Sequence, residues 1–125
     1  DWPQAKAAAE GIGEIGCHTR TQARLSNIAG DPARLTDEIA GAKAIIEGHV
    51  GQSCDSFAWP YGTARDIDEA GRAAIAAAGF TSNFSAVRGA VRPGATDVMD
   101  IPRHQLEFHW PLHELMVWAR GFREA

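Results

Sequence analysis

Two short segments carry side chains that could do chemistry together. The first is Glu14-Ile15-Gly16-Cys17-His18-Thr19-Arg20-Thr21-Gln22, in which His18 emerges directly after an apolar, strand-like stretch. Its imidazole can hold a borderline metal ion or move a proton near neutral pH. Gln22 follows four residues later, within one helical turn's reach, and offers a neutral amide oxygen. The second is Phe57-Ala58-Trp59-Pro60-Tyr61-Gly62, where two aromatics flank a proline at the end of another apolar run. Cys17 adjoins His18, but adjacent residues on a strand point to opposite faces, so this pair reads as a buried thiol beside an outward imidazole. His104, His109 and His113 form a looser C-terminal group, with no carboxylate at a spacing that completes a metal site.

These segments need a scaffold, and the intervening sequence supplies one. Trp2 to Glu10 is Ala-rich, has Pro3 in its first turn and closes at Gly11 with Ile12 beyond, which predicts a helix. Gly13 to Cys17 then reads as a short strand, and His18 to Gly30 as a polar loop. From Pro32 to about His49, Leu35, Ile39, Ala42 and Ile46 recur at helical spacing behind Asp31 as a cap. Ser56 to Trp59 is a short buried strand ended by Pro60. Ile67 to Ala78 is a second amphipathic helix, ended by Gly79 before the strand-like stretch from Phe80 to Phe84. A weaker third round follows, with Met99 to Pro102 as a strand and Leu112 to Phe122 as a helix on which Trp110 and Trp118 pack down. Short strands alternating with helices require crossover connections, so the fold class is α/β with parallel βα units.

In such architectures ligands collect at the carboxyl ends of the strands, where both segments fall. Together they resemble the polysaccharide deacetylase family, the NodB-homology domain of carbohydrate esterases. That family has a segment close to Glu-Ile-Gly-x-His-Thr-x-x-His that supplies two histidines to a divalent metal, and a segment ending in Pro-Tyr-Gly that walls the substrate groove. The resemblance implies that 1–125 is a single partial domain, the later part of a distorted (β/α) barrel. It implies a hydrolase that removes acetyl groups from a carbohydrate polymer or a related amide, with zinc or a similar divalent metal. His18 and Gln22 stand at its two metal positions, the Tyr61 backbone at the oxyanion contact, and Trp59, Pro60 and Tyr61 along the groove. A cell-envelope or secreted location is implied by the family alone.

Departures from the pattern set further expectations. Gln22 replaces the second histidine and is the poorer ligand. The family's Thr-Phe-Asp-Asp-Gly segment, source of a metal ligand and the general base, is absent, and the chain holds no Asp-Asp pair. Metal binding by this chain is therefore expected to be weak or absent, and the chain alone inactive. The rival reading is a non-catalytic module that binds glycan or protein through the groove. Each candidate also has a plainer reading: His18 as a hydrogen-bonded structural residue, Trp59 and Tyr61 as core and turn aromatics, the C-terminal histidines as surface.

Composition narrows the partners. With 125 residues the chain is one domain's worth and can bury a core without staples. Twelve basic against 16 acidic residues, a net charge of -4, leave no basic patch for nucleic acid. No apolar stretch is long enough to span a bilayer. Cys17 and Cys54 fall at opposite ends of neighbouring strands, too far apart for a disulfide. A truncated sheet would leave an open edge, and self-association through it is expected.

Overall fold

The computed structural model describes residues 1–11, 13–105 and 109–120. Helix α1 (Trp2–Glu10) starts on a reciprocal cap in which Asp1 accepts from the Gln4 backbone and the Gln4 side chain reaches back. It buries none of its residues and is held to the body by Trp2, whose ring stacks on His49 at 4.3 Å. Ile12, just past its end, lies outside the described residues.

The long helix expected after Asp31 is present but not uniform. Asp31 caps α2 (Pro32–Thr36) by accepting from the Arg34 backbone. The chain then widens into a π-turn over Asp37–Gly41 before continuing as α3 (Ala42–Val50). Such a bulge turns side chains off the regular spacing, and here it swings Glu38 into the interior. Gly51, at φ 77, ends α3 by donating to the Glu47 carbonyl.

Strands β1 (Ser56–Ala58) and β2 (Ser82–Phe84) pair in parallel, with Ser56 opposite Ser82 and Ala58 opposite Phe84. Helix α4 (Glu69–Ala77), capped by Asp68, makes the crossover between them. It begins two residues later than the periodicity predicts, because Asp68 turns the chain and leaves Ile67 as a core residue ahead of the cap. The expected flanking strands shrink to single parallel bridges, Cys17 on β1 and Ile101 on β2. Gly13 and Gly16 weaken the first as strand formers, and the Pro102 nitrogen cannot donate to a ladder in the second. The α/β reading with parallel pairing therefore holds. The last helix, α5 (Leu112–Ala119), is shorter than predicted, and residues 121 and 122 of that expectation lie outside the described ones.

One face of this sheet is packed and the other is not. Cys17, Phe57, Leu25, Ile39, Ile75 and Phe80 are central to the core between strands and helices, with the Phe57 and Phe80 rings 5.1 Å apart. Because side chains alternate along a strand, Ser56, Ala58, Ser82 and Phe84 lie on the opposite face and remain half-buried. Among the described residues no helix is long and apolar enough to cross a membrane.

Candidate active site

Two loops meet at the carboxyl end of β1, and a side chain locks each. Loop 18–24 runs from the Cys17 bridge to the short helical turn Leu25–Asn27. His18 is exposed, with Nδ1 2.6 Å from the Ala58 carbonyl oxygen. A carbonyl only accepts, so Nδ1 carries a proton, and in the neutral ring the lone pair then lies on Nε2. This is how a ligating or proton-accepting imidazole is commonly oriented.

Behind the loop sits Glu38, 3% exposed. Its carboxylate accepts from the backbones of Arg20 and Thr21, at 3.0 and 2.9 Å, and from the Thr21 hydroxyl at 2.5 Å. Burial pushes the Glu38 pKa up, but the Thr21 and Arg20 donors and the Arg34 charge outweigh it and hold the carboxyl below its usual range. Neighbouring Asp37 pairs with Arg20 at the surface, 2.6 Å away.

The second loop follows β1. Trp59 and Pro60 are fully buried; the Trp59 indole donates to the Thr63 carbonyl at 3.0 Å and lies under Arg72. Of the three residues expected along a groove, Tyr61 alone reaches solvent, 55% exposed, while Trp59 and Pro60 belong to the core. Among the described residues the Tyr61 backbone N–H has no acceptor. Asp66, 1% exposed, fastens this loop by accepting from the backbone and hydroxyl of Thr63, at 2.8 and 2.5 Å. Burial raises the Asp66 pKa, and the Thr63 donors with the Arg24 charge more than reverse that.

Backbone strain falls on the same two loops. Among the described residues the non-glycine residues at positive φ are Thr19 at 63°, Gln22 at 59° and Tyr61 at 66°. Each such residue costs about 1–3 kcal/mol, and for β-branched Thr19 the conformation is a true outlier. Glu38 and Asp66 fasten the loops that carry these conformations, through Arg20 and Thr21 and through Arg24 and Thr63. Sequence reading gave no sign of either carboxylate's role.

The open face of the sheet forms a cleft of about 450 Å³ beside His18, lined also by Ser56, Ala58, Phe84 and Arg103. Arg103 was not singled out from the sequence. Its Nε donates to the Ser85 carbonyl at 2.7 Å, and it also borders an adjoining hollow with His104. His104 is thus near the site, whereas His109 and His113 are exposed positions before and within α5.

The donor set does not make a metal centre by itself. A divalent ion held for hydrolysis needs about three protein ligands. No group of three His, Cys, Asp or Glu side chains comes together among the described residues. His18 supplies one imidazole, and exposed Gln22 only an amide. The residues present do not fit a resident ion.

The scaffold is parallel α/β, and the two motif-bearing loops with positive-φ residues lie at the carboxyl end of β1. The sequence profile of the family described as polysaccharide deacetylase matches residues 2–82, and the chain belongs to that family. Three solved structures share the fold. The BpsB deacetylase domain from Bordetella bronchiseptica aligns with a TM-score of 0.70 and 20% identity, covering 82% of this chain and 47% of that one. BC0361, a polysaccharide deacetylase from Bacillus cereus, aligns at 0.77 with 15% identity over 94% and 36%. IcaB from Ammonifex degensii aligns at 0.70 with 22% identity over 96% and 50%. The chain thus spans half or less of each of these structures. No curated protein matches it.

Proposed function

We propose that this chain is the later part of a distorted (β/α) barrel whose complete domain removes acetyl groups from a carbohydrate polymer or a related amide. The observation that carries this reading is the junction of the two motif loops. His18 is tied by its Nδ1–H to the carbonyl of Ala58, the residue immediately before Trp59-Pro60-Tyr61, so the two motif segments meet beside the cleft that His18 and Ala58 line.

In this reading each residue has a task. The His18 Nε2 lone pair faces outward as a ligand or acceptor, with Gln22 as the weaker donor on the same loop. The Tyr61 N–H, which has no acceptor among the described residues, is a backbone donor for the negative charge that develops on the acetyl oxygen. The exposed Tyr61 ring offers a wall against which a sugar packs. A divalent ion, zinc being the expected one, would need ligands beyond His18 and Gln22, and the general base must also come from outside the described residues. The substrate class favours a cell-envelope or secreted setting.

The incomplete donor set supports a second reading, a non-catalytic module that binds glycan through the Tyr61 groove. Acetate release from an N-acetylglucosamine tetramer, measured with this chain and with its complete domain, separates the two. Release by the complete domain that is abolished by His18→Ala supports the first. Binding without release by both supports the second, and neither binding nor release overturns both.

A further inference from the structure

We propose that Arg24 is the positioning residue for Tyr61, and that it leaves one face of the ring to stack on a sugar. Arg24 comes from the His18 loop, and its guanidinium carbon lies 4.4 Å from the centroid of the Tyr61 ring on the other loop. The same guanidinium donates through Nη1 to the buried Asp66 carboxylate, which the Thr63 backbone and hydroxyl hold from the other side. A second tie runs alongside, from the Ser26 N–H to the Asp66 carbonyl at 3.1 Å. Arg24 therefore cannot follow the ring if the ring moves, because it is anchored to a fixed anion.

Tyr61 needs such an anchor. Its φ of 66° is unfavourable and its side chain is 55% exposed, so the core does little to hold the ring. A planar guanidinium stacked on an aromatic face supplies orientation that a lysine ammonium would not. With Arg24 against one face, the opposite face is the one open to a ligand. A rigid aromatic face with its negative π cloud suits the C–H face of a pyranose ring.

This inference rests on the glycan-facing role of Tyr61, so its test has an arm that needs no sugar. Tyr61 is the only tyrosine of the chain, so ring-labelled tyrosine reports on it alone. In NMR the native ring is expected to show restricted motion, and both Arg24→Ala and Arg24→Lys to release it while the fold stays intact. An unchanged ring in folded Arg24→Ala would overturn the proposal; should that variant not fold, Arg24→Lys decides in the same way.

The second arm is affinity for an N-acetylglucosamine tetramer. Tyr61→Ala should weaken binding about five- to tenfold, Arg24→Ala about two- to fivefold, and the double variant no more than Tyr61→Ala alone. Additive losses would show that Arg24 acts other than through Tyr61 and overturn the inference. If Tyr61→Ala leaves affinity unchanged, the glycan reading of the groove fails and with it the stacking claim, whatever the ring motion shows.

Discussion

The Thr21 hydroxyl donates to Glu38 at 2.5 Å across 17 residues of sequence, and that carboxylate also accepts both adjoining loop N–H groups. A helix residue is thereby the fixed point of the loop that carries His18. The π-turn is what allows it, since regular α-helical spacing would not point position 38 where this bulge does.

Removing that acceptor should be costly. Glu38→Ala removes the charged acceptor shared by three loop donors and is expected to lose about 1.5–3 kcal/mol, with Glu38→Gln losing less because one oxygen remains. The pH dependence has a definite sign. Glu38 and Asp66 both have depressed pKa values in the folded state, so their stabilisation is present above the ordinary carboxylate range and fades as pH falls through the folded values. Denaturant melts at neutral and acidic pH check this, and the acid-induced loss should shrink in Glu38→Gln.

The sequence exposed the parts of this fold that depend on neighbours along the chain. Helix α1 and the helical course from Pro32 were legible because their caps and apolar spacing are local, and Phe57 sits where an alternating strand ended by Pro60 must put it. The site was legible only as two segments. Nothing local singles out Glu38 and Asp66, because the Arg20, Thr21 and Arg24 donors are brought to them by tertiary folding. Thr19 gave no sign of positive φ, since β-branched residues avoid it unless the surroundings impose it. Trp59 and Tyr61 look alike as flanking aromatics, and the turn between them sends one into the core and the other to solvent.

Gly62 is the hinge of that turn. At φ 74 an added Cβ would fall 2.4 Å from the Ala86 Cβ and 2.7 Å from its nitrogen, which donates to the Gly62 carbonyl. Gly62→Ala must therefore both strain the backbone and break the turn's tie to the segment after β2. Gly51 has a similar φ of 77 but open space around it. Thermal melts should show Gly51→Ala losing about 1–2 kcal/mol and Gly62→Ala distinctly more.

Both cysteines are free and buried. Burial raises the Cys17 pKa and pushes Cys54 up to about 11, the neighbouring Cys17 adding to the latter and Lys43 only partly opposing it. At pH 8 a thiol reagent should modify the native chain at least about a hundredfold more slowly than the unfolded one, because thiolate and access are both withheld. Fast native labelling, or a disulfide in a non-reducing mass measurement, would contradict this arrangement.

The Cys17 segment pairs with β1 on one side, and among the described residues no strand lies against its other side. Unpaired backbone there is a template for association. Sedimentation of the chain over a rising concentration series should show reversible self-association, and a monomer throughout would count against an open edge.

Metal binding turns on position 22. One imidazole and one amide do not hold a divalent ion tightly, so calorimetric titration of the chain with zinc should show weak uptake, reduced further by His18→Ala. Gln22→His should restore a second imidazole at little backbone cost, because histidine tolerates the φ of 59° better than most residues. The gain should nonetheless be modest, since no carboxylate joins the pair among the described residues. The ring nitrogen geometry makes the experiment specific: His18 is already oriented by Ala58, so improvement must come from the new ligand and not from reordering the old one. Tight one-to-one binding by the unmodified chain would mean that another donor reaches His18, and His104, across Arg103 from the same cleft, is the residue to substitute next.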